Sequence, residues 1–328
     1  MKISIYDTEL KRVLILENQF ISCLWKEDYN NVGAFTLELQ ATAELKKIIR
    51  PDYFAGRNDR KTLMVIKTVE IKEDRLILSG KSALRALADI AFIGTVAKDT
   101  TIIDGLKSAY DKTDKAPLIT IADSKLPDTY KNQISNKSML DLALTMCRSA
   151  DIGIKAQRNK RQIEIVLYKP EPNNNLIFSK TYGNLLDEKI VLSTEQYKNY
   201  CIVLGAGEGD QRYRVNIDKT DGEPKRTIIV DSRDLQKEQG ETDEQYLAKL
   251  QARGIEKLQE TVKTWEVTFN PLAENFGTMF DLGDILTIRL TDYKMNITSR
   301  LMSFSQKEQN NEITTTVEVG ELTFKKRG

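Results

Sequence analysis

The chain has 328 residues, 49 Lys and Arg against 48 Asp and Glu, three Cys and no His, a length suited to two or three domains with substantial cores. Without histidine it cannot by itself build a Ser-His-Asp or Cys-His arrangement, an HExxH zinc site or a His-ligated haem. A net charge of +1 gives no electrostatic case for duplex nucleic acid or an anionic membrane as the main partner. Cys23, Cys147 and Cys201 are far apart in apolar settings, which predicts buried, reduced thiols, and their odd number argues against a disulfide framework. The N-terminus reaches Asp7 without an apolar stretch, so no signal peptide is expected. No apolar run approaches the roughly 18 residues of a membrane span, and folding in a cytoplasm is the expectation.

In chain order, the first hundred residues read mainly as strands, over 3–6, 12–16, 20–25, 34–39, 63–71 and 75–79. Within 34–39, Phe35, Leu37 and Leu39 alternate with Thr36 and Glu38, as in a half-buried strand. The charged turn Lys72-Glu73-Asp74 makes a hairpin of 63–71 and 75–79, and short helices are expected over 42–49 and 82–91. Antiparallel strands at this spacing predict a small barrel or sandwich. Thr101-Ile102-Ile103-Asp104 then has capping-box spacing and opens a helix carrying Leu106, Ala109 and Tyr110 on one face. Ser138 opens a second helix, in which only Asp141, Thr145 and Arg148 form a polar stripe, so it should be almost wholly buried. A hairpin follows, with Ile152, Ile154 and Ala156 on one arm, Ile163, Ile165 and Leu167 on the other, and Asn159-Lys160 at the turn.

Lys169-Pro170-Glu171-Pro172-Asn173-Asn174-Asn175 breaks any period and reads as a linker. Beyond it, strands are expected over 200–204, 212–217, 226–231, 264–270, 285–290, 297–305 and 312–319. One helix interrupts, about 242–260, opened by Thr242-Asp243-Glu244-Gln245 and striped by Leu247, Leu250, Gly254 and Leu258. Gly254 costs that helix about 1 kcal/mol relative to Ala, a sign of close packing or of a weak point. The expected fold class is α+β and β-rich: 1–98 an N-terminal β-barrel-like domain, 99–178 an α+β domain, and 179–328 a second β-rich domain.

The most tempting motif runs a strand, 200–204, into Gly205-Ala206-Gly207-Glu208-Gly209. A dinucleotide site needs a helix next, because the pyrophosphate sits on its N-terminal N–H groups. Here the residues from Arg212 onward alternate like a strand, the third glycine is one position early, and Glu208 would oppose a phosphate. A glycine-rich hairpin turn fits better. Asp281, Asp284 and Asp292 could surround a metal, but Asp281-Leu282-Gly283-Asp284 reads as a tight turn ahead of a strand. No Walker, GxSxG or EF-hand pattern is present, and carboxylates without geometry do not specify a glycosidase. No cofactor, metal or catalytic residue is expected.

The strings Tyr182-Gly183-Asn184-Leu185-Leu186, Tyr197-Lys198-Asn199, 203–209 with Arg212, and Val230-Asp231-Ser232-Arg233-Asp234-Leu235 together resemble the signature of siphophage tail hub proteins. These are kin to the baseplate hubs of contractile tails and to the N-terminal part of tail-associated lysins. Ile5-Tyr6-Asp7, Ser22-Cys23-Leu24-Trp25, Gly33-Ala34-Phe35-Thr36-Leu37 and the run 280–288 extend the resemblance over nearly the whole chain. It implies two tail-tube-like antiparallel β-barrels with an α+β insertion, assembled as a homotrimer at the virion tail tip or baseplate in the bacterial host cytoplasm. Such a ring would meet a hexameric tail-tube or distal tail protein above and a spike, fibre or tail-associated lysin below. The tape-measure protein or DNA would pass through its lumen. The role implied is structural, and the chain ends soon after its last strand, so the lytic domain of some relatives is not expected. Gly183, Gly205, Gly207, Gly209 and Gly283 are expected at turns that need special backbone conformations, and Asn184 and Asn199 to bond turn backbone. Lys198, Asp231, Arg233 and Asp234 are expected in an ion-pair network. The alternatives are a carboxylate-pair glycan hydrolase of the tail tip and a receptor- or carbohydrate-binding module.

Overall fold

The structure, a computed structural model, describes residues 1–17, 19–259, 261, 264–271, 276–291 and 294–326, without the side chains of 173–175, 186–190, 192, 210, 259, 264–271 and 321–326. The chain divides into two compact units, Met1–Glu188 with Thr268–Gly328, and Lys189–Val267. As expected, it is β-rich with few helices.

In the larger unit the first and last β-regions form one sheet. Its antiparallel order runs Glu312–Lys326, Met295–Gln309, Ser22–Asp28, Ala34–Gln40, Arg75–Ser82, Leu63–Lys72, Phe54–Arg57, Lys2–Tyr6 and Arg12–Glu17. The junction is the long strand Met295–Gln309. Its residues 295–300 pair with Ile285–Leu290, and its residues 303–309 pair with Ser22–Asp28. Register shifts on its other side, around 298–300 and 301–303, mark the point where the partner changes.

Alternation places the cores. Cys23, Trp25, Phe35, Leu37, Leu39, Leu76 and Leu78 point to one face and pack as a single cluster with Ile3, Ile5, Met64 and Ile66. Tyr6, Leu63 and Val65 point to the opposite face, into a second cluster shared with the α+β segment. This is why Leu63–Ile66 are all buried: both faces of the strand are covered, and strict alternation fails there. The second cluster also holds Leu106 and Tyr110 of the helix Ile102–Asp111, and Met139 to Cys147 of the helix Met139–Ser149. Thr101 and Ser138 cap these helices by accepting the N–H of Asp104 and Asp141 at 3.2 and 3.1 Å. The hairpin Gly153–Asn159 and Gln162–Tyr168 closes the module.

Two expectations need correction, and one strand was not anticipated. The segment read as a linker, 169–175, runs into the strand Pro172–Phe178, parallel to Ile285–Leu290. Pro172 is its first residue, where a missing N–H removes no internal ladder bond. The helix expected over 82–91 is a 3-10 helix, Ala83–Asp89, and Ala91 already begins the strand Ala91–Val96, which pairs with Ile134–Ser138. The short strand Phe54–Arg57 carries too little pattern to be seen in advance.

All three cysteines are free and buried, and burial pushes the Cys23 and Cys147 thiols up to about 12. At pH 8 these two are expected to resist a thiol-exchange reagent in the native protein and to react within minutes after unfolding in urea. Rapid native modification of either would overturn the packing described. Among the described residues, no helix is long and apolar enough to cross a membrane.

Candidate functional site

Nine of the fourteen residues marked in the sequence fall in the smaller unit. There Tyr200–Leu204 is the central strand, antiparallel to Arg214–Asp218 and parallel to Thr227–Asp231, and the helix Asp243–Gln259 covers one face. Thr242 and Gln245 cap that helix reciprocally, at 3.0 and 3.2 Å. Cys201, Val203, Ile217, Val230, Tyr246, Leu250 and Leu258 make the core. A Cβ on Gly254 would stand 2.3 Å from Ile217 Cδ1 and 2.6 Å from Val203 Cγ2. Gly254 is therefore the close-packing point of helix on sheet.

The glycine-rich segment is a hairpin turn, as its alternating sequel predicts. Gly205 N–H donates to the Tyr213 carbonyl at 2.8 Å, and Tyr213 N–H to that of Ala206 at 3.1 Å. Gly207 and Gly209 have positive φ, but Gly205 does not. That expectation is corrected: Gly205 is small because a Cβ would lie 2.7 Å from Leu250 and 2.8 Å from the Tyr246 hydroxyl. Buried Tyr246 takes the Ala206 N–H at 2.9 Å and donates to the Leu235 carbonyl at 2.5 Å. Arg212 folds back over the turn, giving Nε to the Gly205 carbonyl at 2.9 Å and Nη2 to the Leu204 carbonyl at 2.8 Å and to Asp231 at 2.6 Å. The turn is thus tied to its own unit, with the N–H groups of Gly205 and Ala206 already engaged.

The expected ion-pair network forms in part. Asp231 holds Arg212 and, at 3.4 Å, Arg233, and the Arg212 hydrogen bond holds its carboxyl below the usual range. Asp234 instead grips Arg253 with both oxygens at 2.7 Å. Lys198 contributes its backbone N–H to Thr261, and among the described residues its ammonium joins no ion pair. Asn199 is buried and bonds backbone on both sides, donating to the Pro224 carbonyl at 3.1 Å and accepting the Arg226 N–H at 2.7 Å.

The other five residues lie in the larger unit, in two places. Asn184 closes a turn after Pro172–Phe178: it accepts the Ser179 N–H and donates to the Ile177 carbonyl, both at 2.9 Å, with Gly183 left-handed between them. Tyr182 is exposed, its hydroxyl accepting from Arg289 at 2.7 Å. Asp284 caps the turn before Ile285–Leu290, accepting the Asp281 N–H at 2.8 Å and the Glu171 N–H at 3.2 Å. Burial raises its pKa. The metal reading finds no support here, since Asp281 turns its own oxygens to Leu282 N–H and Lys155. Asp292 lies outside the described residues. Among those described, no group of three metal-ligating side chains converges.

Sequence reasoning missed two polar clusters. Buried Glu27 meets Arg60, Trp25 and Thr62. Tyr29 and Arg300 converge on Asp151, at 3.2 and 2.7 Å. Apart from Trp25 beside Glu27, their members come from segments distant in the chain, and no local spacing could announce them.

With this geometry in view, the fold is of the class seen in solved phage tail proteins. Over 97% of this chain and 96% of the other, the fold matches the tail protein from Neisseria meningitidis MC58, with a TM-score of 0.61 at 11% identity. It matches the prophage MuSo2 43 kDa tail protein from Shewanella oneidensis equally, at TM-score 0.61 and 11% identity over 97% and 98%. A chain of the Francisella PdpA–VgrG complex matches at TM-score 0.53 and 10% identity, over 100% of this chain and 54% of that one. The chain belongs to the family of Siphovirus ReqiPepy6 Gp37-like proteins, matched over residues 2–321. No curated protein matches it in sequence.

Proposed function

We propose that the protein is a hub at the tail tip or baseplate: a homotrimeric ring, structural rather than enzymatic, that joins a hexameric tail tube to a threefold spike or fibre and leaves a conduit between them. The observation that carries this reading is the ordered set of hub-like motifs along nearly the whole chain, together with a tail-protein fold over 97% of it. The roles of the marked residues agree. Asn184, Asn199, Arg212, Asp231 and Asp284 fix turns and strand ends, which is what a rigid connector needs. A ring closes through heterologous contacts. The strand Arg12–Glu17, paired among the described residues with Lys2–Tyr6 on one side, is one edge at which such a contact can form. On this reading residues 1–98, 99–178 and 179–328 hold the two barrels and the insertion between them.

Light scattering on the full chain, alone and with neighbouring tail proteins, is expected to give a trimer. A monomer that never enters tails or tail-tip complexes would sink the proposal. A cell-wall digestion assay is expected to release no soluble sugar, and release would favour the glycan-hydrolase alternative.

A further inference from the structure

We propose that a cationic cleft on the larger unit binds an acidic segment of a neighbouring protein through its carboxylates. The cleft, about 470 Å³, opens between the start of strand Arg12–Glu17, the stretch 56–63 and Arg158 at the end of strand Gly153–Asn159. Arg12, Arg57, Arg60, Lys61 and Arg158 line it, with Asp59 as the one carboxylate of the lining. Two of the five cations are neutralised. Arg60 meets Glu27 at 2.6 Å, and Arg57 forks onto Asp59 at 2.9 and 2.5 Å. Arg57, its side chain 4% exposed, still keeps Nη1 unpaired. Arg12, Lys61 and Arg158 are exposed and have no carboxylate partner among the described residues.

The fold holds these charges together. Arg158 N–H donates to the Lys61 carbonyl at 2.8 Å, and Thr62 bridges to Gln157. The Arg158 guanidinium lies over the Tyr6 ring, 4.7 Å from its centre, which fixes its direction. Three uncompensated cations in one cleft repel each other, and an arriving anion relieves that repulsion. Guanidinium forks match carboxylate geometry. One feature favours a peptide segment over a phosphate ion: the cleft is larger than one small oxyanion requires.

The test is fluorescence anisotropy of a labelled hexaglutamate peptide titrated with the full chain at low ionic strength. Saturable binding is expected, weakened by at least about tenfold in Lys61→Glu/Arg158→Glu, consistent with the size of close charge-pair couplings. The charge-matched control Lys98→Glu/Lys219→Glu is expected to bind as the parent does. Sodium phosphate at matched ionic strength should displace the peptide no more than sodium chloride does. Absence of saturable binding, equal loss in the control, or preferential displacement by phosphate would each overturn the proposal. If the double reversal lowers the melting temperature, Lys61→Gln/Arg158→Gln gives the same test without added negative charge.

Discussion

Glu27→Ala is expected to destabilise the larger unit by about 3–5 kcal/mol, the usual consequence of stripping one partner from a buried ion pair. Glu27 is 6% exposed in the middle of the sheet. Its Oε1 accepts the Trp25 indole N–H and the Thr62 hydroxyl, both at 3.1 Å, and lies 2.6 Å from Arg60 Nε. Arg60 is fixed from its other side by aromatic rings: its guanidinium stands 4.2 Å from the Phe276 centroid, and Phe276 is stacked at 3.6 Å on Phe304. Without the carboxylate, the cation stays in place with its charge uncompensated, and the indole and hydroxyl lose their acceptor. The pair as a whole need not stabilise the fold, because desolvation offsets most of its attraction. Glu27→Met/Arg60→Met is therefore expected to recover most of the loss. Urea unfolding followed by tryptophan fluorescence measures both. A single substitution costing under about 1 kcal/mol would mean that the pair behaves as a solvated surface bridge.

Gly283→Ala is expected to cost about 2–4 kcal/mol, from left-handed strain and overpacking acting together. Gly283 has φ +89°, and a Cβ there would stand 2.4 Å from the Tyr29 ring and 2.7 Å from Pro170 Cγ. The Tyr29 ring is held on two sides. Tyr29 is tied through its hydroxyl to Asp151 at 3.2 Å and covered by the Arg300 guanidinium at 5.4 Å. Gly209→Ala separates the two causes. Gly209 has φ +54° with nothing within 4 Å of its Cβ position, so it should cost only the conformational part, about 1 kcal/mol. Equal losses at the two sites, in the same urea measurement, would show that packing around Gly283 yields more than described.

What was legible in advance rests on local causes. Alternation over 34–39, the capping boxes at Thr101 and Ser138, and the turn after Leu204 each place a side chain by its own period or its own hydrogen bond. All stand where expected. The reading failed where a local signal has two causes. Proline and asparagine at 169–175 marked a break, yet Pro172 opens a strand, because only the arrival of Ile285–Leu290 decides whether an extended segment becomes part of a sheet. Gly205 and Gly254 were recognised as unusual. Whether a glycine is small for its φ or small for a neighbour depends on Tyr246, Leu250 and Ile217, which approach only after folding.

The marked residues divide the same way. Asn184 acts within its own turn, as residue type and position suggest, whereas Asn199 reaches Pro224 and Arg226 and Asp284 bonds both its own turn and Glu171. Asp234 was expected to pair nearby and instead reaches Arg253 on the helix. The absence of histidine and the balance of 49 cations against 48 anions were complete at the level of sequence, and the first of them excludes histidine-based chemistry from this chain's own residues. Where those charges gather was decided by tertiary structure alone. Lys61 and Arg158 become neighbours because Thr62 and Gln157 bridge two distant segments, and Arg12 joins them through the pairing of Lys2–Tyr6 with Arg12–Glu17 and Phe54–Arg57. Glu27 and Arg60, on separate segments of the chain, meet only in the folded sheet. Near-neutrality is a sum over the chain, but an electrostatic field depends on distance, and the fold sets the distances.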